Sequence, residues 1–193
     1  MHVAWRLTKK TGQNHGTKYE YKTDHFPILK GVGKLAHLKP IIVVDSREQA
    51  PLPISRFTCQ VGTLRTGDYS FCCGEESFAV ERKSIGDLVS YCVGENRERF
   101  ERELHRLRGY HFARLLVVGK KESIQSGEYR SRMEPRAVLA TLNAFEARYN
   151  VPVVFSPDPE TAAKLVESWS WWVAREMVES VNQLWRGTHG RIL

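Results

Sequence analysis

Phe78-Ala79-Val80-Glu81-Arg82-Lys83-Ser84-Ile85-Gly86-Asp87 is the stretch whose reading decides the fold. Apolar residues open it and charges close it, the pattern of a strand that leaves a core with a polar end. Side chains alternate along a strand, so Phe78 and Val80 face one side while Glu81 and Lys83 share the other. Ser84 followed three residues later by Asp87 reads as a capping box that opens a helix over 85–93.

Two upstream segments also bring acids to strand ends. Ile41-Ile42-Val43-Val44 is a β-branched apolar run that stops at Asp45-Ser46-Arg47-Glu48, and Thr66-Gly67-Asp68-Tyr69 supplies another carboxylate. A lone carboxylate at a strand end is usually a solvated charge, and Glu-x-Lys by itself is common. Several carboxylates converging with a lysine repel one another unless a cation neutralises them, and an oxygen-only set suits Mg²⁺, with Mn²⁺ as a substitute. A divalent ion there polarises a phosphoryl oxygen and lowers the pKa of bound water, while Lys83 orients the attacking water or stabilises developing charge. The chemistry implied is metal-assisted phosphodiester hydrolysis.

Chained together, these segments resemble the nuclease domain of XPF-type structure-specific endonucleases, a branch of the restriction-endonuclease-like fold. That signature is Gly-Asp, a variable gap, Glu-Arg-Lys, three residues, then Asp. Here it reads Gly67-Asp68, twelve residues, Glu81-Arg82-Lys83, Ser84-Ile85-Gly86 and Asp87, with the upstream element at Val44 to Glu48. Arg99-Phe100 to Leu107 and Phe145 to Phe155 look like later blocks, so the resemblance spans about 39–167. It implies an α/β fold with a mixed central sheet flanked by helices. It further implies Asp68 and Glu81 as principal Mg²⁺ ligands, Asp45 and Glu48 beside them or at a second ion, and Lys83 as catalytic lysine. Arg47 and Arg82 would contact phosphate. Asp87 carries either a supporting role at the site or the capping role already described. The resemblance also implies branched, flap or junction DNA as substrate and a homodimer formed through the nuclease domain. The tandem helix-hairpin-helix module usual in such proteins is missing from this sequence.

Outward from this centre, Leu115 to Val118 and Val151 to Phe155 read as buried strands and Phe57 to Val61 as a further strand, giving a mixed sheet. Helices are predicted over 97–108, from Pro135 with Val138, Leu142 and Phe145 on one face, and from Pro159 to about Trp185 with Gly187 just past its end. On the last helix, Val166, Trp169, Val173, Met177, Val181 and Leu184 form the expected core face. Trp171, Val178 and Trp185 form a second stripe that a helix on a sheet would expose, to be covered by a second copy or by the N-terminal segment.

The 193 residues carry a net charge of +7, and the first 40 hold eight basic side chains against two acidic ones, so nearly all of the excess sits there. Residues 1–38 read as a flexible basic arm suited to phosphate backbones, or simply to solubility, preceding a nuclease domain over 39–193. Within it, Ile28 to Ala36 resembles a single helix-hairpin-helix hairpin, with an ordinary turn as the alternative. Arg130, Arg132 and Arg136 form a candidate DNA-contacting strip, or a solvated loop and helix start. Cys59, Cys72, Cys73 and Cys92 lack metal spacing and read as buried thiols, and His25 and His37 as solvated loop residues. No membrane span or signal peptide is indicated, which points to an intracellular protein. The alternatives to an endonuclease are a non-catalytic DNA-binding or scaffold subunit and a sequence-specific restriction-type enzyme, the latter needing a groove-reading element that is not found.

Overall fold

The computed structural model describes the backbone of Thr8–Lys9, Tyr19–Glu20 and residues 38–189, and the side chains of residues 38–184. Thr8–Lys9 (β1) and Tyr19–Glu20 (β2) pair antiparallel. The rest of the basic arm, with the hairpin-like stretch at 28–36 and both His25 and His37, lies outside the described residues.

The central sheet has six strands: β3 (Ile42–Asp45), β4 (Cys59–Gly62), β5 (Tyr69–Phe71), β6 (Phe78–Ser84), β7 (Phe112–Val118) and β8 (Val153–Ser156), in the order β4-β3-β5-β6-β7-β8. Only β5 runs against its neighbours; the other pairings are parallel. Parallel strands covered on both faces read as continuous apolar runs, and Ile42-Val43-Val44 and Leu115-Leu116-Val117 are buried accordingly. The mixed sheet expected from the sequence is therefore present, with β5 as the strand that sequence periodicity did not resolve. A three-residue strand is too short for alternation to show.

Two cores sandwich the sheet. On one face Ala79, Leu115 and Val117 pack against Leu88 of α1 (Ile85–Ser90), Phe100, Leu104 and Leu107 of α2 (Gly94–Leu107), Ile124 of α3 (Lys121–Gln125) and Val138, Leu142 and Phe145 of α4 (Pro135–Tyr149). On the other, Ile42, Phe71, Phe78, Val80 and Leu116 pack against Ala162, Ala163, Val166 and Val173 of α5 (Pro159–His189). The buried Glu167 carboxylate accepts the Ser55 and Arg56 N–H groups at 2.8 and 2.6 Å, tying the loop before β4 to α5.

Several expectations are corrected. Helix α1 ends at Ser90 instead of 93, where the chain tightens into i→i−3 bonds from the Tyr91 N–H to Leu88 O and from the Cys92 N–H to Val89 O. Gly187 does not terminate α5, which continues to His189; one interior glycine costs about 1 kcal/mol, too little to end a helix of 31 residues. Only Cys92 is buried, since Cys59 lies on the edge strand β4 and Cys72 and Cys73 in the turn after β5.

The stripes on α5 also differ. Val166 and Val173 face the core, but Met177, Val181 and Leu184 are 36%, 60% and 68% exposed. A helix of 31 residues is about 46 Å long and outruns strands of at most seven residues, about 23 Å. Trp171 packs partly against the core, and Trp172 is the exposed tryptophan at 51%. The side chain of Trp185 lies outside the described ones. Among the described residues no helix is long and apolar enough to cross a membrane.

Gly67 is required by its backbone. It has φ +84°, and a Cβ there would meet the Ala79 Cβ and the Val80 carbonyl at 3.2 Å. Gly67→Ala is expected to lower stability by about 1–3 kcal/mol, read from the urea midpoint, because left-handed strain and close approach add.

Candidate active site at the carboxyl ends of the strands

The acidic segments meet where β3 and β6 end and β5 begins. Backbone hydrogen bonds enforce this: Asp45 N donates to Asp68 O at 2.8 Å and Asp68 N to Val80 O at 2.9 Å, so the three chain positions are fixed by the sheet. In open α/β sheets this crevice outside the carboxyl ends is where ligands bind.

Each charged side chain has a defined partner. The buried Asp45 carboxylate accepts from Arg47 Nε at 2.6 Å, Arg47 Nη2 at 3.1 Å and Leu64 N at 2.7 Å. Arg47 Nη2 also donates to Leu64 O at 2.9 Å. Glu48 accepts a bidentate pair from Arg82 Nε and Nη2, both at 2.8 Å, the fork geometry that suits a carboxylate. Asp68 accepts the Arg82 N–H at 2.7 Å. Glu81 is buried and is paired with Lys83 through Oε1 and Nζ.

Ionisation separates these acids into two kinds. Burial pushes Asp45 and Glu48 up, but hydrogen bonds from Arg47 and Leu64, and from Arg82 and Ala50, outweigh it and hold both below the usual carboxylate range. Asp68 is pushed up to about 6, by burial first and then by the Glu48 and Glu103 charges, against the pull of the Arg82 N–H and Lys83. Glu81 lies well above its ordinary value because of burial and the Asp68 charge, opposed by Lys83. Lys83 is raised: burial opposes its charge, but Glu81, Glu103 and Asp68 prevail. The half-buried Asp68 and the buried Glu81 therefore stand beside one ammonium, with the Asp68 charge disfavouring that of Glu81.

Among the described residues no group of three or more His, Cys, Asp or Glu side chains surrounds one point. The convergence expected of four acids is, in this structure, a pair, because Asp45 and Glu48 are turned onto Arg47 and Arg82. A pair of carboxylates still fits Mg²⁺, which is commonly held by one or two carboxylates, waters and substrate phosphate. The donors are all oxygen, and both carboxyls lie above their ordinary pKa, by burial first and by neighbouring negative charge second.

The other expected residues lie around this centre. Ser84 Oγ accepts the Asp87 N–H at 3.1 Å and donates to Asp87 Oδ2 at 2.7 Å, so Asp87 caps α1. Arg130, Arg132 and Arg136 are exposed. Arg130 lines an open depression of about 490 Å³ with Ser90, Val93, Gly94, Glu95, Asn96 and Ser131, next to the helix that follows Lys83. Sequence reading missed three residues. Glu103, on α2, reaches Asp68, Glu81 and Lys83 with its charge. The Tyr91 and Phe100 rings face the Lys83 ammonium. The signal for Glu103 was available, because it lies one turn beyond Phe100 on a helix packed against the face that carries Glu81 and Lys83.

Residues 44–168 match the family model described as the ERCC4 domain. Among solved structures the chain is similar to XPF from Aeropyrum pernix in complex with DNA, with a TM-score of 0.58 and 24% identity, covering 72% of this chain and 66% of that one. It is also similar to XPF from Aeropyrum pernix, with a TM-score of 0.55 and 25% identity, covering 68% and 60%. The chain thus spans less than two thirds of either structure's length. No curated protein sequence matches it.

Since Asp68 takes up its proton near pH 6 when folded and near 3.9 when unfolded, the native state binds more protons between those values and stability falls as pH rises through them. In EDTA at pH 8, Asp68→Asn is expected to be more stable than wild type by about 1–3 kcal/mol, the gap closing towards pH 4. Urea unfolding at the two pH values measures it.

Proposed function

The chain belongs to the ERCC4-domain family, and from that premise we propose that it is a Mg²⁺-dependent DNA endonuclease that hydrolyses phosphodiester bonds in branched, flap or junction DNA. The observation that carries the reading is the half-buried Asp68 and the buried Glu81 brought to one strand end beside the Lys83 ammonium, both raised in pKa by burial first, and Glu81 by the Asp68 charge as well. A fold alone needs no such pair, since carboxylates whose burial outweighs their partners cost stability. A phosphodiesterase needs it to concentrate positive charge at a scissile phosphate.

Asp68 and Glu81 would hold Mg²⁺, or Mn²⁺ in its place, and that ion would supply charge stabilisation at the phosphoryl oxygen and a more acidic bound water. Lys83 places an ammonium on the same strand face as Glu81, where it orients a water for attack or stabilises the charge that grows on phosphate. Asp45 and Glu48 hold Arg47 and Arg82 in fixed forks at the rim, so each guanidinium keeps its place as a phosphate approaches. The Arg47 side chain is largely exposed and accessible to a backbone phosphate, with Arg130, Arg132 and Arg136 extending the basic rim. The contacts these groups offer are to the phosphate backbone, which suits DNA known by its shape. Such DNA places the protein inside a cell.

Cleavage of labelled flap, fork, nicked and four-way DNA, with Mg²⁺ or with EDTA, tests the reading. Wild type is expected to cut a branched substrate only with the metal, and Asp68→Asn or Glu81→Gln to cut at least about 100-fold more slowly with DNA affinity unchanged. Wild-type rates in either variant overturn the site assignment. Metal-independent binding without cleavage by wild type leaves the scaffold reading instead.

We further propose a homodimer through the exposed outer face of α5. Trp172 is exposed just ahead of the core-facing Val173, Val181 is exposed further along the helix, and Arg175 lies 5.0 Å from the Trp172 ring, an aromatic and cationic surface of the kind enriched at protein interfaces. Light scattering at micromolar concentration is expected to give a dimer for wild type and a soluble monomer for Trp172→Glu with Val181→Glu. A wild-type monomer, or a variant that stays dimeric, rejects this face.

A further inference from the structure

The aromatic pair beside Lys83 has no part in the chemistry described so far. Tyr91 follows the last residue of α1, where its N–H closes the helix onto Asp87 O and Leu88 O. Its ring stacks on Phe100 of α2, with centroids 4.9 Å apart and planes 19° apart. Lys83 Nζ lies 5.5 Å from the Tyr91 centroid and 5.9 Å from that of Phe100. The side chain of Lys83 is itself mostly buried.

A lysine ends in a compact point charge on a flexible four-carbon stem, so an ammonium that must sit at one place needs restraint from more than one side. Glu81 supplies one restraint. That carboxylate is also the one expected to hold a cation, and whatever engages it loosens its grip on Lys83. The ring faces do not share this conflict: their quadrupoles attract an ammonium whatever Glu81 is doing. Phe100 is fully buried in the core and is fixed by packing, whereas Tyr91 is half-buried and is delivered by a short helix whose start is set by the Ser84–Asp87 cap.

We infer that Tyr91 is a positioning residue for Lys83, its ring face holding the ammonium at the strand end through the cycle. The inference rests on the reading of Lys83 as the catalytic lysine, and it links Asp87 to the site, since capping α1 places Tyr91 and Tyr91 places Lys83. The ring is what matters, so phenylalanine should serve and an aliphatic side chain should not.

The test uses the full chain labelled with ¹³C-lysine, with the Lys83 ε-CH₂ signal assigned by its loss in Lys83→Arg. Wild type and Tyr91→Phe are expected to show that signal shifted upfield by the ring current, and Tyr91→Leu to show it moved towards the signals of exposed lysines. On branched DNA with Mg²⁺, Tyr91→Leu is expected to lower kcat about tenfold with KM unchanged, and Tyr91→Phe to stay within about twofold of wild type. A Lys83 signal unmoved in Tyr91→Leu overturns the inference, as does a loss of kcat that Tyr91→Phe does not restore. Should Tyr91→Leu not fold, Tyr91→Met replaces it, an unbranched side chain of similar reach without a ring. If wild type cuts no DNA, the functional reading fails and the spectrum alone decides whether Tyr91 holds Lys83.

Discussion

Two carboxylates brought beside one ammonium at the ends of adjacent strands are the constraint on which the rest of this structure depends. Asp68 immediately precedes β5 and Glu81 lies near the end of β6, and the backbone bond from Asp68 N to Val80 O fixes their main chains side by side. In water the two side chains would rotate freely. Here the Arg82 N–H holds the Asp68 carboxylate and Lys83 that of Glu81, and burial raises both in pKa. Lys83 offsets part of the repulsion from Glu81, but one ammonium cannot neutralise Asp68, Glu81 and the nearby Glu103. The surplus negative charge is a property of the fold, and a divalent cation with phosphate is a natural complement to it.

The neighbouring Asp45–Arg47 and Glu48–Arg82 pairs follow the opposite logic. Each acid is met by a guanidinium in fork geometry with further backbone N–H donors, and each is held below its ordinary pKa. These pairs are complete in themselves. The site thus divides into acids met by a guanidinium and held below their ordinary pKa, and acids with fewer donors that lie above it, within a few residues on the same strand ends. That division makes chemical sense: basic groups that meet a polyanion must already be oriented, while the acids that hold a cation must remain available to it.

How much of this was legible in the sequence depends on whether the information was local. The strands at Ile42 to Asp45 and Phe78 to Ser84, the sharing of one face by Glu81 and Lys83, and the capping role of Asp87 follow from alternation and from three-residue spacing, and all appear as read. The chained motif also placed the fold, and the ERCC4-domain match over 44–168 falls almost on the span of 39–167 that the motif suggested. What could not be read was set by tertiary partners. Nothing in Asp45-Ser46-Arg47-Glu48 says that Asp45 turns onto Arg47 while Glu48 reaches 34 positions along the chain to Arg82. Equal spacing on α5 likewise cannot reveal that the sheet ends halfway along the helix, which left Val181 outside a core that its periodicity had joined.

The same mismatch between helix length and sheet width links architecture to recognition. The first half of α5 completes the second core and, through Glu167, pins the loop that carries Ser55 and Arg56 ahead of β4. Further along, Met177 and Val181 are exposed, so these two side chains contribute little to the stability of this domain. Trp172 keeps Arg175 against its ring, and Arg175 is tied in turn to Glu179 at 2.9 Å, which fixes a flat aromatic surface on an otherwise charged helix. Ordering of that kind on an exposed face is a cost in side-chain entropy. The proposed dimer would recover it by covering that face, and it would do so without disturbing the strand ends at which Asp68, Glu81 and Lys83 meet.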